Sequence, residues 1–346
     1  MICLCYIDCA PTYLHCMKKN QEQFIAGLDI GSSAVRIAVG HMAEREGVNG
    51  GELQILGASE VQSEGVHRGI ISSIEDVVSS VSKCLEDVER MLGAPIESVW
   101  LGISGTQILS QMSKGVVAVA KGDSEITEED VDRAIEASRA IATPLNYEVL
   151  HVLPRSFTID GQPGIKDPIG MTGIRLEVDT QIILAASAQV KNVTKAVYRT
   201  GLEIDDVVLS MLATAEAVVT QRQKELGVVV VNIGVATISI AIFEEGELVH
   251  TAVLPLGAGH ITNDIAIGLR TSIDIAEAVK LTYADCTLGS IIKDDQFDIA
   301  EFGATEHELV KKHYLYEIVQ ARVEEMMTKV LQEIQRCKKT TLLPAG

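Results

Sequence analysis

The sequence has few basic residues, few aromatic residues and no long apolar run. Its 346 residues include 29 Lys and Arg against 48 Asp and Glu, which gives a net charge of −19 at pH 7. A surface this negative repels phosphate backbones and anionic lipid headgroups, so nucleic acid is not expected as a partner. No apolar run reaches the roughly 18 residues that a membrane-spanning helix needs. Any membrane contact is therefore expected to be peripheral.

Cysteine is scarce outside the first sixteen residues, where Cys3, Cys5, Cys9 and Cys16 lie. The spacing of the seven cysteines gives no disulfide framework, which favours a reducing cytoplasm. A zinc site at the N-terminal cluster is disfavoured, because its spacing is irregular and no second ligand pair follows. The same segment lacks the basic start of a signal peptide. Residues 1–23 are predicted to be a disordered extension, and the first sixteen of them to be either a start-site artefact or a disordered tail.

Hydrophobic periodicity predicts a first α/β lobe. Two β-rich runs, residues 24–28 and 34–40, flank a short glycine turn and indicate an antiparallel hairpin. Further strands are predicted near residues 53–59 and 99–104. A helix over residues 72–92 has the apolar spacing needed to pack one face on this sheet.

The pattern changes after residue 104 to that of a small α/β insert. Its helix is predicted to begin at Thr127, with Asp130 as the third helical residue, and to end before Pro144. Val131, Ile135 and Ile141 would form the buried side of that helix.

A second lobe is predicted after the insert. A valine-rich strand at residues 227–232 and a second strand at 238–243 flank another glycine turn. The periodicity also predicts helices over residues 190–200, 212–225, 261–269, 274–283 and 307–336. The predicted divisions of the chain are 24–104, 105–186, 187–250, 251–305 and 306–346.

The two hairpins are an internal repeat. With a constant offset of 203 positions, Asp29 aligns with Asn232, and Gly31 with Gly234. A repeat at this separation predicts two related lobes whose turns face one cleft. Either hairpin alone is better explained as an ordinary sheet edge. Because sheet stability does not require both lobes to repeat one turn, the pair favours phosphate binding.

The residues of these turns suit a nucleotide phosphate. Glycine lets backbone N–H groups approach phosphate oxygens closely, and Ser32, Ser33 and Thr237 add hydroxyl donors. Asp29, at the end of the first strand, is well placed to hold Mg²⁺ through water. Two such turns could hold the phosphates of ATP together with Mg²⁺.

Three segments carry a family resemblance. Residues 24–36 (FIAGLDIGSSAVR) resemble the first phosphate motif of the FtsA family of bacterial cell-division proteins. Residues 164–177 (GIKDPIGMTGIRLE) resemble its inserted subdomain, and residues 250–264 (HTAVLPLGAGHITND) the strand and turn after its second phosphate motif. The resemblance implies an actin-like (ribonuclease H-like) α/β fold. Such a fold has two lobes with duplicated nucleotide-binding sheets and a small α/β inserted subdomain.

The resemblance also implies site residues. Glu277 and Lys280 match helix positions that in relatives reach the ribose and adenine, although a solvated surface ion pair explains their spacing equally well. The resemblance likewise implies that Gly257 and Gly259 lie on the ribose and adenine side of the nucleotide. The phosphate and magnesium residues implied are Asp29, Gly31, Ser32, Ser33, Asn232, Gly234, Ala236 and Thr237.

Two features depart from the family pattern. The second motif usually opens with Asp, and Asn232 removes roughly 3 kcal/mol of gross attraction per unit cation charge, at about 5 Å and an effective dielectric of 20. Hydrolysis is therefore expected to be weak at most. The sequence also stops at Gly346, before the adenosine loop and the membrane-binding helix that the family carries, and so resembles a truncated product.

The function implied is a cytoplasmic, ATP-binding and filament-forming scaffold. In the complete family member it ties FtsZ filaments to the inner membrane at the division site and recruits later division proteins. The C-terminal tail of FtsZ is expected to dock on residues 251–305. A small-molecule kinase is the alternative, with Asp160, Asp167 or Asp179 as the catalytic base. A chaperone ATPase is disfavoured because no peptide-binding domain follows the lobes.

Overall fold

The structure is a computed structural model, and the expected N-terminal extension lies outside the part of the chain that it describes. The chain divides into two compact units: Met1–Val230, Ala241–Ala252 and Leu342–Gly346 form the first, and Val231–Ile240 and Val253–Thr341 the second. The described residues are 24–43, 52–67, 69–119, 124–140, 143–287, 295–304, 307–337 and 343–346.

Strands and helices are mixed along the whole described chain. The strands are β1 (Ile25–Ile30), β2 (Ala34–Ala43), β3 (Glu52–Gln62), β4 (Val66–His67), β5 (Ile70–Ile71), β6 (Ser98–Ile103), β7 (Ile108–Ala118), β8 (Tyr147–Ile159), β9 (Gln162–Ile165), β10 (Arg175–Ala186), β11 (Glu203–Leu209), β12 (Val228–Ile233), β13 (Ile238–Glu244), β14 (Glu247–Leu254), β15 (Gln296–Asp298) and β16 (Leu309–Lys311). The helices are α1 (Ile74–Leu92), α2 (Glu128–Arg139), α3 (Ser187–Tyr198), α4 (Ser210–Val218), α5 (Gln221–Leu226), α6 (Gly259–Gly268), α7 (Ile273–Tyr283) and α8 (Lys312–Arg336).

A five-stranded sheet in the order β11-β6-β1-β2-β3 organises the first unit. The predicted hairpin is confirmed, because β1 pairs antiparallel with β2. On its other side β1 runs parallel to β6, which runs parallel to β11. Since strands that run in one direction end at the same edge of a sheet, the carboxyl ends of β1, β6 and β11 come together.

Helix α1 covers this sheet as its apolar spacing predicted. Ser73 caps its N-terminus by accepting the Asp76 N–H, and Gly93 ends the helix with a φ of 70°. Glycine suits that left-handed position because it has no Cβ to clash. The buried face of the helix comprises Val77, Ser80, Val81, Cys84, Leu85 and Val88.

The inserted segment is a four-stranded antiparallel sheet in the order β7-β10-β8-β9, with α2 packed on it. The predicted N-terminus of α2 is confirmed, since Thr127 and Asp130 form a reciprocal capping box. The helix ends at Arg139, before Pro144, as predicted. Val131 is buried, Ile135 is partly buried against the same core, and Ile141 lies outside the described residues. Helix and sheet meet so closely at Gly115 that a Cβ there would lie 1.9 Å from the carbonyl oxygen of Ala134.

Two helix predictions were wrong. The single helix predicted over residues 212–225 is two helices, α4 and α5, because the backbone at Val219 is extended and Thr220 caps a new helix together with Gln223. The helix predicted from residue 307 begins at Lys312, because Leu309–Lys311 pairs as a strand with Gln296–Asp298.

In the second unit three helices pack on one another and on the short β15–β16 ribbon. Helix α8 has a buried apolar face, on which Leu315 and Val319 lie in a core that includes Ile265 of α6 and Val279 of α7. Strands β12, β13 and β14 form a three-stranded sheet in that order. No helix of the described chain is long and apolar enough to cross a membrane.

Candidate functional site

The turn between β1 and β2 is closed by its own backbone. The Gly31 N–H donates to the carbonyl oxygen of Ala34 at 3.0 Å. The Ser32 hydroxyl oxygen accepts the Gly69 N–H at 2.9 Å, and the Gly69 carbonyl in turn accepts Gln189 Nε2 at 3.0 Å. Because Ser32 uses its oxygen as an acceptor here, its hydroxyl proton is available to donate to a ligand. Sequence reasoning missed Gly69 and Gln189, which also line a small pocket beside the turn.

Asp29 lies at the strand ends where β1, β6 and β11 meet. In the strand register it stands opposite Gly102 of β6, and Ser210 follows the last residue of β11. The Ser210 hydroxyl donates to Asp29 Oδ1 at 3.0 Å. Gly102 leaves room for that bond, since a Cβ there would stand 2.7 Å from Ser210 Oγ and 3.3 Å from Asp29 Oδ1. Neither Gly102 nor Ser210 was predicted.

The environment of Asp29 suits a cation. Burial raises the pKa of Asp29 above its ordinary value, and the hydrogen bond from Ser210 and the charge of Arg36 offset part of that rise. A carboxylate with such a desolvation cost gains from a nearby positive charge. Oxygen ligands are those that Mg²⁺ prefers, and Mg²⁺ usually keeps several of its waters. One carboxylate with neighbouring hydroxyl groups therefore fits a hydrated magnesium ion.

The turn between β12 and β13 has the same closure as the first. The Gly234 N–H donates to the carbonyl oxygen of Thr237 at 2.9 Å, which is the Gly31 to Ala34 bond displaced by the 203 positions of the repeat. Asn232 is exposed at the end of β12. The predicted repeat of the turn is thus present in the backbone.

Gly257 and Gly259 support this second turn. The Gly259 N–H donates to the Val235 carbonyl at 2.8 Å. A Cβ on Gly257 would lie 2.5 Å from the carbonyl oxygens of both Gly234 and Val235. Only glycine allows such an approach to the backbone, so the segment fixes the shape of the turn.

Glu277 and Lys280 are brought together on α7, where a third residue joins them. Lys280 Nζ contacts Glu277 Oε2 at 2.7 Å, and both bond to the hydroxyl of Thr262 on α6, at 3.0 and 2.5 Å respectively. Burial raises the pKa of Glu277, but the hydrogen bonds from Lys280 and Thr262 and the Lys280 charge outweigh it, so the pKa lies below its usual value. The Lys280 side chain is only 14% exposed, so this is a partly buried network rather than a freely solvated pair. Sequence reasoning missed Thr262.

The predicted residues form separate groups, each described within its own unit. Asp29, Gly31, Ser32 and Ser33 lie together in the first unit. The second unit holds Asn232, Gly234, Ala236 and Thr237 around its turn, Gly257 and Gly259 beside that turn, and Glu277 with Lys280 on α7.

The carboxylates considered for a kinase hold local structure instead. Asp160 accepts the backbone N–H groups of Ile174 and Arg175, and Asp167 accepts that of Ile169. Asp179 lies 3.8 Å from Lys114 on the neighbouring strand. Within the described residues, no group of three or more His, Cys, Asp or Glu side chains could hold a metal ion. The N-terminal cysteine cluster lies outside those residues.

Solved structures identify the fold class. The PilM–PilN type IV pilus biogenesis complex superposes with a TM-score of 0.62 at 14% identity, covering 93% of this chain and 79% of that chain. MreB5 of Spiroplasma citri bound to ADP superposes with a TM-score of 0.50 at 13% identity, covering 90% and 79%. At these identities the likeness shows the fold alone. The protein has the actin-like ATPase fold that the resemblance implied.

Sequence comparisons give the family. The family model for the SHS2 domain inserted in FtsA matches residues 105–184, and that for cell division protein FtsA matches residues 229–344. Cell division protein FtsA of Pseudomonas aeruginosa is 37% identical over 325 residues, which cover 94% of this chain and 76% of that protein. FtsA of Bacillus subtilis is 36% identical over 327 residues, covering 94% and 73%. The chain belongs to the FtsA family of cell division proteins.

Proposed function

We propose that this protein is an ATP-binding, filament-forming scaffold of cell division, and that each of the two glycine turns binds nucleotide phosphate. The observation that carries the proposal is the repeated closure, Gly31 to Ala34 and Gly234 to Thr237, at one constant offset in an FtsA-family chain. Each closure places a small residue at the start of its turn, where backbone N–H groups can approach a phosphate closely.

The side chains of the first turn have distinct roles in this proposal. Asp29 holds Mg²⁺ through water, and Ser210 orients the carboxylate by donating a hydrogen bond to it. Ser32 donates its free hydroxyl proton to a phosphate oxygen, because its lone pair already accepts the Gly69 N–H. Exposed Ser33 supplies a second hydroxyl.

In the second unit, Gly234, Ala236 and the Thr237 hydroxyl bind phosphate, and Gly257 with Gly259 holds the turn in shape. Asn232 has an oxygen acceptor but no charge, so it attracts the metal less than an aspartate would. Hydrolysis is accordingly weak, and ATP favours the polymerising conformation of the protein because it binds that conformation more tightly.

Glu277 and Lys280 bind the nucleoside. Their side chains are already fixed on one face of α7 by Thr262, so little side-chain freedom is lost when a ribose or base arrives. The ADP in MreB5, a protein of the same fold, supports a nucleotide as the ligand class.

Membership of the FtsA family supports the proposed partners. The protein is cytoplasmic and self-associates into filaments, binds the C-terminal tail of FtsZ through residues 251–305, and helps recruit later division proteins at the cytoplasmic face of the inner membrane.

Calorimetric titration with ATP, with and without Mg²⁺, tests the site. We expect Asp29→Ala to weaken Mg·ATP binding about tenfold or more, which corresponds to roughly 1.4 kcal/mol. Its effect should be smaller in EDTA, since Asp29 acts through the metal. Asp87→Ala removes a partly exposed carboxylate of α1, which pairs with Arg90, and should leave binding unchanged. A wild-type protein that does not bind ATP, or an Asp29→Ala variant that binds Mg·ATP normally, would contradict the proposal.

A further inference from the structure

His151 makes a buried contact from the inserted domain to the strand end beside Asp29. It lies on β8 with 5% of its surface exposed, and its Nε2 accepts the backbone N–H of Leu209 at 2.9 Å. Because a backbone N–H can only donate, Nε2 carries no proton, and the neutral ring has its proton on Nδ1. Burial lowers the pKa of His151, and the charge of Asp206 offsets part of that effect.

Leu209 lies where the chain passes from β11 into α4. It is the last residue of β11 and the residue that precedes α4, and its apolar side chain gives the helix no cap. The next residue, Ser210, donates to Asp29. One peptide unit therefore lies between the bond that His151 makes and the bond that orients Asp29.

We propose that His151 is a positioning residue for the phosphate site, through which the inserted domain sets the orientation of Ser210 and Asp29. The inference rests on the proposed function, since it assigns His151 a role in the binding of Mg·ATP at Asp29.

The physical reason is the cost of an unpaired buried N–H. Without an acceptor at position 151, the Leu209 N–H loses its partner, a penalty large enough to shift the backbone toward another acceptor. Ser210 moves with that backbone, and Asp29 loses the donor that fixes its Oδ1. By thermodynamic reciprocity, a ligand that holds Asp29 in place also stabilises the contact with the insert.

Three variants separate positioning from general stability. His151→Leu removes the acceptor, His151→Gln keeps an oxygen acceptor near the place of Nε2, and His151→Asn carries an acceptor on a shorter side chain. Ser113→Ala is the matched control, because it removes another buried hydrogen bond of the same insert, from Ser113 Oγ to the Ser138 carbonyl. Tm and the affinity for ATP, with Mg²⁺ and in EDTA, are measured for each.

We expect His151→Leu and His151→Asn to weaken Mg·ATP binding about tenfold and to reduce the gain in affinity that Mg²⁺ provides. His151→Gln should restore both. Ser113→Ala should lower Tm without changing affinity. The asparagine variant tests the same loss if the leucine variant does not fold.

Affinities of the leucine and asparagine variants equal to wild type would overturn the inference, as would an equal loss in Ser113→Ala. Asp29→Ala identifies which proposal has failed. If Asp29→Ala weakens Mg·ATP binding while the His151 variants do not, only the positioning role is wrong. If wild type and Asp29→Ala do not differ, the phosphate site itself is wrong.

Discussion

Asp29 and Ser210 are 181 residues apart in the sequence, yet the hydroxyl of Ser210 donates to the carboxylate of Asp29 at 3.0 Å. Two successive parallel strand pairings make this possible, because β6 pairs on one side with β1 and on the other with β11. The contact places a hydrogen-bond donor on the carboxylate that lies next to the first turn. The geometry of the proposed phosphate site therefore depends on the positions at which β1, β6 and β11 end.

Gly102→Ala should break this contact. The new methyl group would lie 2.7 Å from Ser210 Oγ, so the hydroxyl must rotate away from Asp29. We expect a loss of about 1 kcal/mol in the free energy of unfolding and a three- to tenfold weaker affinity for Mg·ATP. Urea denaturation and calorimetry measure the two effects. Gly27→Ala on β1 is the control, since a Cβ there meets nothing within 4 Å; equal losses in both variants would contradict the prediction.

Thr262→Val should separate nucleoside binding from phosphate binding. It replaces the hydroxyl shared by Glu277 and Lys280 with a methyl group of similar size. We expect about fivefold weaker binding of ATP and unchanged binding of inorganic tripolyphosphate, because Glu277 and Lys280, which Thr262 holds in place, are proposed to contact only the nucleoside. Asp264→Asn, which weakens the ion pair of α6 with Arg322, is the control and should change neither affinity. A parallel loss for both ligands would count against the assignment.

His151 should make stability depend on pH below its ordinary pKa of 6.5. Its pKa is lowered in the folded protein by burial, against the opposing charge of Asp206, so the unfolded chain takes up the proton first as pH falls. The stabilising contribution is therefore complete above pH 6.5 and is lost as pH drops through the folded pKa. Thermal unfolding between pH 7.5 and 5 should show a smaller decline for His151→Gln than for wild type. Equal declines would mean that other groups cause the loss.

Asp130 should stabilise the insert down to low pH. Hydrogen bonds from the Thr127 backbone, the Thr127 hydroxyl and Arg133 lower its pKa from 3.8 to about 2, against the opposing effect of burial. Its contribution is present above pH 3.8 and disappears as pH falls through about 2. Asp130→Asn should lower the free energy of unfolding at pH 7 by about 1 kcal/mol, the usual cost of a lost helix cap. Denaturation at pH 7 and pH 2 measures this, and the difference between variant and wild type should be much smaller at the lower pH, where Asp130 is about half protonated in the folded protein.

Local patterns in the sequence predicted the features that depend on neighbouring residues. The hairpin at Asp29, the cap at Thr127 and the apolar face of α8 each follow from a period of two or 3.6 residues or from a short motif. The break between α4 and α5 at Val219 could also have been predicted, because Thr220 and Gln223 have the spacing of a capping box.

The residues missed depend on long-range pairing that one sequence does not specify. Gly102 and Ser210 reach Asp29 only through the register of β1, β6 and β11. Thr262 meets Lys280 through the packing of two helices. Helix α8 likewise begins later than predicted because Leu309–Lys311 pairs as a strand with Gln296–Asp298. The predicted domain boundaries and ligand roles stay predictions.

The pairing of β6 with β11 also bears on synthesis of the chain. β6 ends at Ile103 and β11 begins at Glu203, so roughly 100 residues of insert and α3 leave the ribosome in between. At translation rates of about 5–20 residues per second, the edge of β6 that pairs with β11 remains unpaired for roughly 5–20 s. An unpaired strand edge can form hydrogen bonds with strands of other chains, which leads to aggregation. Fast formation of the insert, or a chaperone bound to that edge, would protect the nascent chain from aggregation.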